Sequence, residues 1–119
     1  MNWTLDKSRP ICPQICEQLC AHIASGEFAP QQRLMSVREV ALAAGVNPNT
    51  VQRAFEQLEK QGVLYSVRGA GWYVSADPAA AQTMQQDLVQ DTVKEFFDKM
   101  HALGVSPEET KSIVKEWQL

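Results

Sequence analysis

The sequence predicts a mainly α protein with three helices, a β-hairpin and a short C-terminal helical hairpin. Three observations support this prediction: two capped helix starts separated by a glycine turn, a glycine-tipped pair of strand-forming segments, and an apolar helical stripe near the C-terminus. At 119 residues, of which 45% are apolar and 21% charged, the chain has the size of one ordinary domain with a modest appendage.

The first helix is predicted over residues 10–25. Isoleucine or leucine recurs every four residues from position 11 to position 23, which places these side chains on one helix face. Three cysteines, Cys12, Cys16 and Cys20, adjoin that face, and Ser25-Gly26 ends the pattern.

The second and third helices have clear start signals. Ser36 and Glu39 form an S-x-x-E capping box for a short helix that ends at Gly45. Asn47 is then an N-cap before Pro48, because proline at the first helical position loses no helical hydrogen bond. The apolar side chains of the third helix form one stripe, made of Val51, Ala54, Phe55 and Leu58.

A β-hairpin and a second helical unit follow. Residues 63–67 and 72–74 are rich in strand formers, and the turn residues Arg68-Gly69-Ala70-Gly71 lie between them. Beyond Asp77-Pro78, apolar residues trace a helical stripe as far as Leu103, and Ser106 caps a short last helix. These patterns predict two domains, residues 1–76 and residues 77–119.

The charges are divided unevenly between these two parts. The net charge is −3 at pH 7, but residues 1–76 hold seven Lys and Arg against six Asp and Glu, while residues 77–119 hold four against eight. Lys and Arg are the residues that neutralise phosphates. Any contact with nucleic acid is therefore expected in the first part.

The order of elements in residues 1–76 is that of a winged helix-turn-helix. In that fold the third helix enters the major groove, where Asn and Gln recognise adenine and Arg recognises guanine. We predict contact with double-stranded DNA through the following residues: Arg38, Asn47, Asn49, Thr50, Gln52, Arg53, Arg68 and Gly69. The alternatives are a merely solvated helix face, an ion pair of Arg38 with Glu39 or Glu56, and a plain turn at the wing.

The C-terminal part is predicted to form a homodimer. A helical hairpin of this size rarely buries a sufficient core alone, and two-fold pairing is the commonest solution. The apolar face assigned to dimerisation consists of Met84, Leu88, Val93, Phe96, Phe97, Met100 and Trp117. Such a dimer places the third helices of its two subunits about one DNA turn, or a multiple of one turn, apart. This spacing predicts an inverted-repeat operator.

Other functions fit the sequence less well. No Ser–His or Cys–His pairing and no phosphate-binding glycine loop supports an enzyme, and no cofactor or metal ion is expected. A thiol- or metal-responsive regulator is an alternative, but successive thiols of Cys12, Cys16 and Cys20 lie about 6 Å apart along the helix and need ligands from elsewhere. We interpret them as core residues. A winged helix that contacts only protein is a further alternative, because the chain is acidic overall.

The expected location is the cytoplasm, with no membrane partner, because no apolar run has the length of a bilayer crossing and no secretory signal is evident. A tail this small leaves a small-molecule effector only a shallow site or the dimer interface. No residue identifies such an effector.

Several motifs resemble the GntR family of transcriptional regulators. They are Pro10-Ile11 to Gln14-Ile15, Leu34 with Ser36-x-Arg38-Glu39-Val40-Ala41, Gly45-Val46-Asn47-x-Asn49-Thr50-Val51, Leu58-Glu59-x-x-Gly62 and Gly69-x-Gly71-x-Tyr73-Val74. The resemblance spans residues 10–75. Residues 47–54 and the short tail are most similar to the YtrA branch, whose members resemble one another as small dimeric regulators.

This resemblance implies that the operator is contacted by Arg38, Asn49, Thr50, Gln52, Arg68 and Gly69. It also implies repression of a nearby operon, often one for an ABC transporter. Four residues depart from the family pattern: Cys12, Gln31, Met35 and Pro48 stand where an aromatic residue, glycine, proline and arginine are usual. One standard phosphate or base contact, that of the arginine, is therefore not carried over.

Overall fold

The computed structural model describes residues 1–119 and confirms a mainly α fold with one small sheet. The elements in chain order are α1 (Ile11–Ala24), α2 (Val37–Ala44), α3 (Pro48–Lys60), β1 (Leu64–Val67), β2 (Gly71–Val74), α4 (Ala79–Ala102) and α5 (Pro107–Glu116). The chain divides into two compact units, Met1–Gln85 and Gln86–Leu119.

None of the helices combines the length and the apolar character that crossing a membrane requires.

The core of the first unit is built largely from α1, α3 and the sheet. Ile15 and Leu19 of α1 are fully buried, as are Phe55 and Leu58 of α3. Phe55 packs edge-on against Trp72 of β2, with the ring centroids 5.5 Å apart. The apolar stripe predicted for the third helix is the face that the structure buries.

The segment before α1 belongs to this unit because Gln14 holds it in place. The buried Gln14 side chain accepts a hydrogen bond from the Asp6 N–H at 2.8 Å and donates to the carbonyls of Asp6 at 2.8 Å and Pro10 at 2.9 Å. The segment thereby brings Lys7 to the helix-turn-helix, where its Nζ lies 3.4 Å from the carbonyl oxygen of Gly45.

The first two turns of α4 also pack in the first unit. Ala81 is buried, and the Cys20 thiol of α1 donates to the Ala81 carbonyl at 3.2 Å. Met84, which the sequence analysis assigned to dimerisation, is half-buried against the same core. The division therefore falls after Gln85 rather than at the residue 76 boundary predicted from the linker.

The second unit is a helical hairpin with almost nothing buried. Its turn contains Gly104 at φ 87°, and Ser106 caps α5 by accepting a hydrogen bond from the Glu109 N–H at 3.1 Å. Thr110 is the one buried residue in Gln86–Leu119. An open apolar depression of about 390 Å³ lies between the two helices, lined by Phe96, Met100, Ile113, Val114, Trp117 and Leu119.

Candidate nucleic-acid interface

The turn between α2 and α3 is set by local geometry. The capping box predicted at the start of α2 is present, with both the Ser36 and Glu39 side chains bonded to backbone N–H groups. Gly45 ends α2 in the left-handed conformation at φ 69°, which glycine adopts without steric strain. The Val46 N–H returns to the Ala41 carbonyl at 3.0 Å, so that α3 begins two residues later in a fixed direction.

Asn47 starts α3 as a hydrogen-bonded cap. Its side-chain oxygen accepts the Asn49 N–H at 2.8 Å, and Pro48 occupies the first helical position. The structure thus gives Asn47, which the sequence analysis grouped with the DNA-contact residues, a local structural role. Its side-chain NH₂ group makes no hydrogen bond within the chain.

The face of α3 opposite the core carries the side chains predicted to read bases. Asn49 and Arg53 are exposed, while Thr50 and Gln52 are half-buried at the edges of that face. One partner was missed by sequence reasoning: Gln52 donates through Nε2 to Glu56 Oε1 at 2.9 Å. The spacing of four residues between these side chains is the signal that could have predicted this bond.

The wing is a regular antiparallel hairpin. Leu64 pairs with Val74 and Val67 with Gly71, and the tip Arg68–Ala70 is closed by a hydrogen bond from the Ala70 N–H to the Val67 carbonyl at 2.9 Å. Gly69 at φ 78° lies at the tip, and a Cβ there would meet no other atom within 4 Å. The predicted wing-tip residues are therefore open to an approaching ligand.

Glu59 fixes the wing to α3. Its Oε2 accepts hydrogen bonds from the Ser66 N–H at 3.0 Å and the Ser66 Oγ–H at 2.7 Å. Sequence reasoning missed this contact, because Glu59 reads as one more polar residue of a solvated helix face. The contact joins the helix that carries the side chains predicted to read bases to the hairpin that follows it.

A third extended segment completes the sheet edge and brings in Arg33. The Leu34 N–H donates to the Trp72 carbonyl at 2.8 Å, and Arg33 forms an isolated antiparallel bridge with Tyr73. An open groove of about 670 Å³ between α3 and the wing is lined by Arg33, Gln52 and residues 66–72. Sequence reasoning did not single out Arg33, because it directly follows a turn-prone stretch from Glu27 to Gln32.

The arginines on or beside the helix-turn-helix and the wing form no ion pair within the chain. The ion pairs of the structure join Arg9 to Asp6 and Lys94 to Asp98, and the His22 side chain contacts Glu27. The four arginines on or beside the helix-turn-helix and wing take part in none of them: Arg33, Arg38, Arg53 and Arg68. The ion pair of Arg38 with Glu39 or Glu56, the structural alternative weighed from sequence, is absent. These guanidinium groups are free to pair with phosphates or base edges.

The cysteines are placed as parts of the core. Cys16 and Cys20 are buried, and their thiols donate to the carbonyls of Ala54 and Ala81 at 3.4 and 3.2 Å. Burial raises the pKa of Cys16 to about 12 and that of Cys20 to about 11. Since the thiolate is the form that binds metals and reacts with oxidants, these two side chains are poorly suited to either role. No group of three His, Cys, Asp or Glu is arranged to hold a metal ion.

Comparison with known proteins identifies the family. Residues 13–74 match the family described as "Bacterial regulatory proteins, gntR family". The chain is 30% identical over 115 residues to the uncharacterized HTH-type transcriptional regulator YhcF of Bacillus subtilis, covering 97% of this chain and 95% of that protein. It is 32% identical over 110 residues to the HTH-type transcriptional repressor YtrA of the same organism, covering 92% and 85%.

Solved structures agree with this match. A GntR family transcriptional regulator from Listeria monocytogenes superimposes with a TM-score of 0.82 at 33% identity, covering 96% of this chain and all of that one. The DNA-binding domain of AraR in complex with operator ORR3 superimposes with a TM-score of 0.53 at 33% identity, over 54% of this chain and 77% of that one. The chain therefore belongs to the GntR family, a family of non-enzymatic regulators, and is a YtrA-like transcriptional regulator with a winged helix-turn-helix DNA-binding domain.

Proposed function

We propose that this regulator is a repressor that binds an inverted-repeat operator as a homodimer. The observation that carries the proposal is the unneutralised polar face of α3, where Arg53 and Asn49 project beside a wing whose tip holds Arg68. A helix of this width fits the major groove, and the wing then reaches the neighbouring groove. Chromosomal DNA lies in the cytoplasm of bacteria, and we place the protein there on that ground.

The side chains divide by the part of DNA that suits them. Asn49, Thr50, Gln52 and Arg53 lie on the α3 face and are proposed to contact base edges. Arg38, near the start of α2, and Arg68 with Gly69 at the wing tip are proposed to contact phosphates or the minor groove. Asn47 is proposed to contact DNA only through its side-chain NH₂ group, since its side-chain oxygen caps α3.

The dimer is proposed because the second unit leaves its apolar side chains open to solvent. Trp117 is 68% exposed, Phe96 41% and Val93 47%, although all three are large apolar residues. Val89, Ile113 and Val114 are also exposed and extend the predicted dimerisation set. A second copy offers the same apolar residues, so two-fold pairing covers both faces at once.

Repression is proposed because similar proteins are named as repressors. YtrA of Bacillus subtilis is named a transcriptional repressor, as is NagR of the same organism, which is 35% identical over 107 residues. A regulator bound to an operator that overlaps a promoter excludes RNA polymerase from that promoter. Repression of this kind follows from DNA binding alone.

The test is selection of bound duplexes from a random DNA pool by the full-length protein. Wild type is expected to enrich an inverted repeat, and Arg53→Ala to lose the preference at one or more base positions of each half-site. The matched control is Arg9→Ala, because Arg9 is an exposed arginine of the same unit that is paired with Asp6. Failure of the folded wild type to enrich any sequence would contradict the proposal and favour a winged helix that contacts protein.

A further inference from the structure

The groove between α3 and the wing is lined by an arginine, Arg33, to which the proposed function assigns no DNA contact. Gln52 of α3 lines one part of the groove and residues 66–72 of the wing another, and Arg33 lines it as well. All of these residues belong to the first unit. The groove thus lies between the two elements that the proposed function places in adjacent grooves of DNA.

Two contacts with β2 hold Arg33 in this groove, one through its backbone and one through its side chain. Its bridge to Tyr73 fixes the backbone beside β2. Its side chain lies across Gly71, where an added Cβ would be 3.5 Å from Nε and 3.6 Å from Nη2. Because glycine has no side chain, the guanidinium group can lie close to the strand there.

The two glutamates of α3 do not bind Arg33. Glu56 accepts the hydrogen bond from Gln52, and Glu59 accepts two from Ser66. Arg33 itself makes no ion pair and no side-chain hydrogen bond. Its planar fork of donors is therefore available to an anion in the groove.

If DNA binds as proposed, the anion that faces Arg33 is a phosphate of the DNA backbone. The element that separates a major groove from the adjacent minor groove is a sugar-phosphate strand. If α3 occupies the major groove and the wing reaches the minor groove, that strand passes between them, along the groove lined by Arg33. Arginine binds phosphate with two parallel hydrogen bonds.

We propose that Arg33 binds a phosphate of the DNA strand that lies between α3 and the wing. The inference rests on the proposed function, and it adds a contact that fixes the register of the protein on the duplex without reading sequence. Arg68, on the wing side of the groove, supplies a second positive charge to the same strand.

The test measures how binding of a short fluorescent duplex of random sequence depends on salt. Each phosphate contact contributes about 0.9 to the slope of log affinity against log salt concentration. Arg33→Gln is therefore expected to lower the magnitude of that slope by about one per protomer. Arg33→Lys, which keeps the charge, is expected to retain most of the slope, and Arg9→Gln, a matched arginine removal outside the groove, to retain all of it.

The outcomes separate this inference from the proposed function. A wild-type slope in Arg33→Gln overturns the phosphate contact, while salt-dependent binding by the wild type leaves the proposed function standing. A slope in Arg33→Lys as low as that in Arg33→Gln also overturns it, because Arg33 would then act through the structure of the wing. If the wild type binds no duplex, both fail. Should Arg33→Gln not fold, Arg33→Met keeps an unbranched stem across Gly71 and gives the same measurement.

Discussion

At the scale of single residues, the two asparagines at the start of α3, Asn47 and Asn49, differ in their hydrogen bonds within the chain. Asn47 Oδ1 accepts the Asn49 N–H, whereas the exposed Asn49 side chain makes no hydrogen bond within the chain. An N-cap and a base-reading side chain look alike in the sequence, because asparagine is favoured for both. Only the direction of each side chain distinguishes them.

Replacing Asn47 with alanine is expected to destabilise the first unit, because the side-chain oxygen of Asn47 caps α3. Loss of the cap leaves the Asn49 N–H without its partner, and such substitutions lower the free energy of unfolding by about 1 kcal/mol. Thermal unfolding measures this change. A melting temperature equal to that of the wild type would contradict the role of the cap.

The matched control is Asn49→Ala. Its stability is expected to stay within about 0.5 kcal/mol of the wild type, because the side chain is exposed and unbonded. Its affinity for the selected operator is expected to fall, by about tenfold for a lost base contact of about 1.4 kcal/mol. Equal DNA affinity in Asn49→Ala and wild type would remove Asn49 from the reading surface.

The buried thiols predict a dependence of stability on alkaline pH. Burial raises the pKa of Cys20 to about 11, above the ordinary value of 9.0, so the folded state keeps the proton that the unfolded chain loses. The contribution of Cys20 to stability is therefore complete below pH 9.0 and falls as pH rises towards 11.

Comparison of wild type with Cys20→Ala isolates this effect from other groups that titrate at high pH. The difference between their free energies of unfolding in urea is expected to narrow as pH rises from 9.0 towards 11. Ile23→Val is the control, because it changes another buried side chain of α1 that carries no proton, and its difference from wild type should not vary with pH. A constant difference for Cys20→Ala would contradict the raised pKa.

At the scale of elements, the wing and α3 act as one piece because Glu59 bonds Ser66. Glu59→Ala removes both hydrogen bonds, and the Ser66 amide is expected to exchange its hydrogen faster with solvent. Affinity for operator DNA is expected to fall with it, since the wing must be ordered again on binding. Hydrogen exchange and binding measured on the same variant test the prediction.

Glu56→Ala is the control for this prediction. Glu56 is also a carboxylate of α3, but it bonds Gln52 rather than the wing. Exchange at Ser66 is expected to be unchanged in this variant. If Glu56→Ala and Glu59→Ala alter Ser66 equally, the wing is not held by the Glu59 contact.

The sequence predicts the strands of the hairpin but not the segment that pairs with them. The residues of β1 and β2 are rich in strand formers and flank a glycine turn, which are local signals. The segment with Arg33 shows no such pattern, since it follows a proline and two glutamines. Its pairing depends on Tyr73 and Trp72, about forty residues away, and only the folded chain brings them together.

At the scale of the whole molecule, the proposed dimer depends on the exposed apolar side chains of the second unit. Phe96→Asp is expected to convert a dimer into a monomer, because pairing would bury a carboxylate among apolar groups. Analytical ultracentrifugation measures the mass, and operator binding is expected to weaken because two half-sites are no longer engaged by one assembly.

Lys111→Asp is the control for this substitution. It also places an aspartate in the second unit, but at an exposed charged position of α5. This variant is expected to remain dimeric and to bind the operator as the wild type does. A monomeric Phe96→Asp that binds the inverted repeat with wild-type affinity would contradict the link between dimerisation and recognition.

The sequence by itself determined the elements, the family and the face of α3 that points away from the core. Capping residues, turn glycines and apolar spacing act within a few positions of the chain, so each can be read without the rest of the fold. The structure buried the predicted stripe of α3 and capped α2 as the pattern indicated.

Only the tertiary structure decided the features that depend on contacts between distant residues. It placed Arg33 beside the wing and bound Glu59 to Ser66. It also packed the first two turns of α4 within the first unit, so that Met84 lies against the core of that unit. None of these contacts has a local signal, because polar and linker residues fit many environments. Their partners are chosen by the packing of the whole domain.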